Sequence, residues 1–410
     1  MSDDRKKKLE KNFFKIFFIN SLLNLKMINV IISLFFVYRS LRIADIFYLG
    51  IIYSVTVIAS EVPSSYLADK FGRKRTIIMA TCFALLHWAV YLIADSFAMF
   101  AVGAIFFALA ESFMSGTDEA FVFDTNKELG DHNQSFKKLA YYFSSERVFK
   151  IFSAFLGAII AKDLASWQFS LIILVDVVAS IIAIFYAFTL VEPNHYMDVE
   201  QQEAGIIKDA YRILVHDKNL LWTIFNKMMV VVTAAACWRY AAVLFVDSLR
   251  IPVIIFGFLW SMHHLVVFAG NRLGDKILFK NTAESKINIL NGVTGGAVAL
   301  FLVAWFFYPN KYIIFASYIL MMASSALRDP FFSHLFNQQF RSYNRATTLS
   351  LANFVRHIME VPFLPVAAWM VGKSTVLPYV MVLLSAVLAL TVFRMKKVFS
   401  NNQLYATPAV

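Results

Sequence analysis

The residues of this chain able to do chemistry are charged and polar side chains inside apolar stretches. Lys26, Lys150, Asp176, His263, His264 and Arg356 fall near the middle of such stretches, Glu61, Asp118, Glu119, Arg328 and Asp329 nearer one end, and Glu111 between the two groups. A charge where water is scarce needs an interior partner, a cavity or a proton pathway. Glu111, Ser115 and Asp118 share one helix face through spacings of four and three. Glu111 is the leading candidate for a proton-carrying carboxylate; the alternative is a structural ion pair with Lys150 or Arg147. Asp118 and Glu119 either assist proton coupling or shape a gate. His263 and His264 could relay protons, although adjacent helix positions face different ways, so at most one points inward. Arg356, His357 and Glu360 lie within one helical turn or so, where Arg356 and Glu360 either satisfy each other at spacing four or bind a ligand. Asn20 and Asn24 share a face and either bridge helices or line a cavity. Lys26 is costly to bury and calls for a partner or an anionic ligand. Arg328-Asp329-Pro330 reads as a hinge, since proline frees a carbonyl and kinks a helix. The candidates for a solute cavity are therefore Asn20, Asn24, Lys26, Lys150, Arg328, Arg356 and Glu360. No nucleotide-binding loop, metal-ligand cluster or nucleophile–base pattern is present. The reading is of a protein that is not an enzyme, with no catalytic residue, metal site or cofactor.

The elements that position these groups follow from composition. Of 410 residues, 59% are apolar and only 16% are charged, against about 25% charged in a soluble domain. Phe occurs 42 times, which excludes a disordered chain, and 14 Gly and 2 Cys exclude collagen-like and disulfide-rich classes. Cys82 and Cys237 both sit in apolar runs and read as small core residues. The fold class is an all-α integral membrane protein, because isolated spanning segments must satisfy their own backbone. Twelve runs have the required length: 13–38, 46–68, 76–94, 97–122, 139–161, 167–190, 220–246, 252–270, 287–307, 312–336, 346–371 and 375–393.

The net charge is +11. With the N-terminus in the cytoplasm, the cytoplasmic segments carry 25 of the 38 Lys and Arg, with Lys15 at the mouth of the first run included, and the opposite loops carry six. This asymmetry places both termini in the cytoplasm and accounts for the charge without nucleic acid. The longest polar stretch divides the spans six and six. The organisation is an N-terminal six-helix half over 1–190, a cytoplasmic linker over 191–219 and a C-terminal six-helix half over 220–410. Within the linker, Ile206, Ile207, Tyr211, Ile213 and Leu214 have the spacing of an amphipathic surface helix.

Between the second and third runs stands Ser65-Tyr-Leu-Ala-Asp69-Lys70-Phe-Gly72-Arg73-Lys74-Arg75. This resembles the signature loop of the major facilitator superfamily, G-x-x-x-D-[RK]-x-G-[RK]-[RK], matching at Asp69, Lys70, Gly72, Arg73 and Lys74, with Ser65 in place of glycine. Glu61-Val-Pro63 resembles the E-x-P of its drug-exporter-like branch. Ser115-Gly-Thr-Asp118-Glu119-Ala120 through Asp124 resembles that branch's fourth-helix ending, and Arg345-Ala-Thr347 its eleventh-helix opening. A degenerate second copy of the loop places Asn271 opposite Asp69, 202 residues on. The chain departs from exporters in carrying acids where their fourth helix often has Arg. It also lacks their fifth-helix Gly-Pro motif, with Gly157 alone in Ile151–Ala161.

The resemblance implies two pseudo-symmetric halves rocking around a central cavity lined by helices one, four, seven and ten. It also implies a latch in which Asp69 caps the start of the eleventh helix near Thr347 and Arg73 orients it, a contact worth about 0.3–1 kcal/mol. The expected function is secondary active transport of a small amphipathic solute by alternating access, as proton-coupled export. The alternative is uptake of a small anionic metabolite or siderophore-like compound, with Lys26, Lys150 and Arg356 as ligands; remoter alternatives are a non-transporting receptor or a membrane enzyme. The expected partners are the solute, protons or another coupling ion, and the lipid bilayer. The chain is expected to be a monomer of a bacterial inner membrane that binds no nucleic acid.

Overall fold

A computed structural model of the chain describes residues 2–130, 135–194, 218–277, 282–329, 331–332, 335 and 345–395. Every regular element among them is helical. The longer helices are α1 (Asp3–Leu23), α2 (Ile32–Tyr38), α3 (Ile43–Phe71), α4 (Arg73–Ile93), α5 (Phe97–Met114), α6 (Thr117–Glu128), α7 (Ser135–Ile160), α8 (Ser166–Thr189), α9 (Lys218–Trp238), α10 (Val253–Ile277), α11 (Ala283–Phe307), α12 (Lys311–Ala326), α13 (Arg345–Lys373) and α14 (Pro378–Leu390). The described residues of each apolar run lie on a helix or a broken helix, and eight helical stretches among the described residues are long and apolar enough to cross a bilayer. The expected amphipathic helix in the linker lies outside the described residues. Both cysteines are free.

Among the runs expected as continuous helices, the first and the fourth are broken where they carry polar groups. In the first, the Asn24 backbone N–H and side-chain amide both donate to the Asn20 carbonyl, at 3.0 Å each. An asparagine that bonds back in this way competes with helix propagation. Lys26 then takes a left-handed conformation with φ of 39°, a 3-10 turn follows at Met27–Val30, and α2 resumes the run. The fourth run breaks at Ser115-Gly116, where Gly116 has φ of 73°.

Elsewhere local chemistry sets the ends. Asp45 accepts the Arg42 backbone N–H at 2.9 Å and starts α3. Pro63 lies inside α3 without ending it. Around it the hydroxyls of Ser60, Ser64 and Ser65 return to the carbonyls of Thr56 and Glu61 at 2.6–3.0 Å, the local compensation that lets a membrane helix carry proline. The tight turn from α3 to α4 rests on Gly72, with φ of 95°, a conformation that β-carbon sterics disfavour. The Glu192 carboxylate receives the Arg73 and Lys74 backbone N–H groups at 2.8 and 2.7 Å and caps α4.

The chain forms two compact units. One comprises 1–201, 238–265 and 353–375, and the other 202–237, 266–352 and 376–410. The grouping by compactness does not follow the sequence order, since 238–265 and 353–375 pack with the N-terminal helices.

In the first unit, a ring cluster of Phe35, Phe36, Tyr91 and Phe100 is buried among α2, α4 and α5. Close backbone approach occurs where Gly157 of α7 meets the Met27 carbonyl, since a β-carbon there would lie 2.3 Å from that oxygen. The helix-one break is thus seated on a glycine. In the second unit, Arg328 is fully buried and donates to Asn291 Oδ1 at 2.8 Å. Asn291 donates to Asn226 Oδ1 at 3.1 Å, and Asn226 donates to the carbonyls of Ala389 and Phe393 at 3.0 and 2.8 Å. This polar chain ties α9, α11, the residues just past α12 and the end of α14, while Arg328 Nη2 is buried without a hydrogen-bond partner.

Candidate functional site

The two helix breaks meet at a cavity of about 360 Å³ in the first unit. Asn20, Asn24, Lys26, Glu111, Asp118, Glu119 and Lys150 line it, together with Ser115, Tyr142, His87, Trp88 and Phe107. The volume lies within the range of small-molecule pockets, about 300–1,000 Å³.

The break in helix one turns Lys26 inward. Its Nζ lies 2.7 Å from Glu111 Oε1, and it sits over the Phe107 ring at 4.7 Å. Glu111 pairs with Lys26, because the left-handed turn at Lys26 brings that ammonium across to α5; the side chain of Arg147 lies outside the described residues. The Lys26 side chain is 13% exposed and that of Glu111 46%, so the carboxylate faces open cavity. Asp176 of α8, itself buried, lies beside the backbone of Lys26, Met27 and Ile28, with its Oδ2 left without a hydrogen-bond partner.

Asn20 donates to Ser145 Oγ at 2.7 Å and accepts from the Asn24 side-chain amide at 2.9 Å, so these asparagines both bridge helices and line the cavity. At the other break, Asp118 and Glu119 stand in the first turn of α6. Asp118 accepts the Tyr142 hydroxyl and the Glu119 backbone N–H, and no cation lies within 4 Å of it among the described residues. Glu119 is exposed to the cavity.

Below the cavity a chain of contacts runs to a buried ion pair. Phe107 packs on Tyr53 at 5.3 Å and Tyr53 on His357 at 5.8 Å. His357 Nδ1 lies 3.5 Å from Glu360 Oε2, which also accepts the Ser54 hydroxyl at 3.3 Å. Glu360 pairs with Arg239, whose guanidinium lies against Gly50. The expected Arg356–Glu360 pair does not form; the long-range partner Arg239 takes the carboxylate. Arg356 keeps an unpaired Nε and is close enough for its charge to act on Glu111.

Other candidates lie elsewhere. His263 is buried and stacks on Trp260 at 4.8 Å, and neither His263 nor His264 lines the cavity. Arg328 belongs to the polar chain of the second unit. In the signature loop, Arg73 Nε pairs with Asp124 at 2.6 Å. Lys70 sits over the rings of Tyr66 and Phe71 at 5.5 and 5.6 Å, and the Lys74 backbone joins the Glu192 cap. The side chains of Asp69, Asn271 and Thr347 lie outside the described residues. Sequence reasoning missed His87, Tyr142, Tyr53 and Arg239. The first three give no signal of their own in aromatic-rich runs, whereas Arg239, a charge inside a span, could have been singled out.

The sequence profile of the Major Facilitator Superfamily matches residues 16–364, and the chain belongs to that family. It is an integral membrane protein. Among relatives, YxaM, an uncharacterized MFS-type transporter of Bacillus subtilis (strain 168), is 24% identical over 175 residues. That match spans 42% of this chain and 43% of the relative, less than half of either. Among solved structures, the nucleoside transporter NupG has a TM-score of 0.73 at 11% identity, covering 94% of this chain and 98% of that one. The D-xylose-proton symporter has a TM-score of 0.68 at 12% identity, covering 95% and 98%. These likenesses show the fold.

Proposed function

We propose that the protein moves a small amphipathic solute by alternating access, as proton-coupled export, with the cavity between the two helix breaks as its solute site. The observation that carries this reading is the cavity-facing Lys26–Glu111 pair held between two interrupted helices. Discontinuous helices at mid-membrane mark solute and ion sites in transporters, because they release backbone groups that continuous helices consume. Two six-helix halves would rock around the site, with both termini in the cytoplasm of a bacterial inner membrane. The Arg239–Glu360 pair would part when the opposite side opens, and the Asp69 loop would latch the cytoplasmic side. The cations Lys26, Lys150 and Arg356 favour a second reading, uptake of a small anion through the same cavity.

Glu111 links solute and proton, since a proton taken by its carboxylate frees Lys26. In proteoliposomes, Glu111→Gln is expected to lose pH-driven flux while retaining solute exchange under equal pH. Unchanged pH dependence would remove Glu111 from coupling.

A further inference from the structure

A group of lysines stands where helices of the first unit end. α4 begins at Arg73 and α8 ends at Thr189. The Lys15 ammonium of α1 donates to the Thr189 carbonyl at 2.5 Å, so it lies level with these ends at the edge of the bundle. Lys11 of α1 and Lys74 of α4 are close enough for their charges to act on that ammonium. No carboxylate lies within 4 Å of any of these ammoniums among the described residues. The Glu192 carboxylate at the start of α4 is turned to the Arg73 and Lys74 backbone amides. Like charges held at such spacing, as Lys11 and Lys15 are on α1, repel unless a ligand neutralises them.

The elements that carry the lysines are tied together. Asn12 exchanges two hydrogen bonds with the Val191 backbone, at 2.8 and 3.1 Å, joining α1 to the end of α8. Beneath them Ile16 of α1, Ile77 of α4 and Ala187 of α8 share one buried cluster. The outer face of α1 continues into apolar surface, since Lys11, Phe14, Lys15 and Phe18 share one face through spacings of three and four. Phe14 is 50% exposed and packs on Phe18 at 4.5 Å, and Phe18 stacks on Tyr186 of α8 at 5.8 Å.

We propose that this face binds an anionic phospholipid. Its phosphate sits among Lys11, Lys15 and Lys74, and its acyl chains lie along Phe14 and Phe18. An ammonium has three donors; the Thr189 carbonyl takes one from Lys15 and leaves the others for phosphate oxygens. The adjoining exposed ring calls for acyl chains, so a free phosphate would meet only part of the surface. A zwitterionic headgroup would bring its own cation against the lysines, so the site selects a headgroup of net negative charge. The inference is independent of which solute crosses the membrane.

The test measures binding of a fluorescent phosphatidylglycerol, and of phosphatidylcholine with the same chains and label, to the purified protein in uncharged detergent. Phosphatidylglycerol is expected to bind about tenfold more tightly or better, since each basic residue beside an anionic lipid contributes a factor of about five. Lys11→Gln, Lys15→Gln and Lys74→Gln together should abolish the preference. Removing the same charge at exposed positions elsewhere, with Lys162→Gln, Lys311→Gln and Lys373→Gln, should leave it intact. The combined variant Lys11→Arg, Lys15→Arg, Lys74→Arg keeps the charge and should keep the preference, which separates loss of charge from loss of folding. Equal affinity for the two lipids overturns the proposal, as does equal loss in both glutamine variants. Binding of glycerophosphoglycerol, the same headgroup without chains, as tightly as the lipid would show a site for free anions and also overturns it.

Discussion

Replacing Arg239 with methionine is expected to destabilise the protein by about 5 kcal/mol, and replacing Glu360 with alanine by about 3 kcal/mol. Breaking a buried ion pair is costly because it strands the remaining charge, and the cost follows the burial of the partner left behind. Glu360 is 1% exposed, whereas the Arg239 side chain is 23% exposed and keeps some access to solvent. Losing Arg239 therefore strands the deeper charge, with His357, the Ser54 hydroxyl and the more distant charge of Arg356 left near it. Losing Glu360 strands the shallower one. The double variant Arg239→Met, Glu360→Leu should recover most of the loss, since apolar replacement of both partners is often neutral or stabilising. Unfolding in detergent micelles measures all three. Equal losses in the single variants, or no recovery in the double, would show that the pair is not the electrostatic unit described.

The second large effect concerns Lys26. Lys26→Met is expected to lower transport about ten- to a hundredfold, because hydrogen bonds to charged groups contribute about 1.5–3 kcal/mol and each 1.4 kcal/mol is tenfold. Exchanging the charges, Lys26→Glu with Glu111→Lys, restores a neutral pair across the same 2.7 Å contact. The swapped protein should keep the thermal stability of the parent yet remain poor in transport, since the cavity polarity is altered. Full transport in the swapped protein would reduce Lys26–Glu111 to a structural tie.

Much of the cavity was legible in the sequence. Asn20, Asn24, Lys26, Glu111, Asp118, Glu119 and Lys150 were singled out as polar groups inside apolar runs, and the structure gathers them in one place. The reason is physical: charges in a membrane have few places to go, so those that exist share the interior. Pairings were less legible. Arg356 and Glu360 satisfy the local spacing rule, but Glu360 turns to Arg239, 121 residues away in sequence. Arg73 pairs with Asp124, 51 residues away in sequence, a partner that the loop motif does not name. Local periodicity does not encode which distant helix arrives at a given face. The breaks in helices one and four were also hidden, since hydropathy registers apolar length and not backbone continuity. The signals were there in retrospect: Asn24 beside Lys26, Gly116 after Ser115, and a lone Asp176 inside α8 with no sequence-local partner.

The central claim is that solute passes through the cavity between these two breaks. The most direct measurement places a cysteine at Ser115, on the cavity wall at the second break, after Cys82 and Cys237 are replaced by alanine. In proteoliposomes, a polar thiol reagent should label this cysteine and block flux, and transported solute should slow the labelling. Complete labelling with flux intact, and at a rate indifferent to solute, would contradict the account and place the pathway elsewhere in the protein.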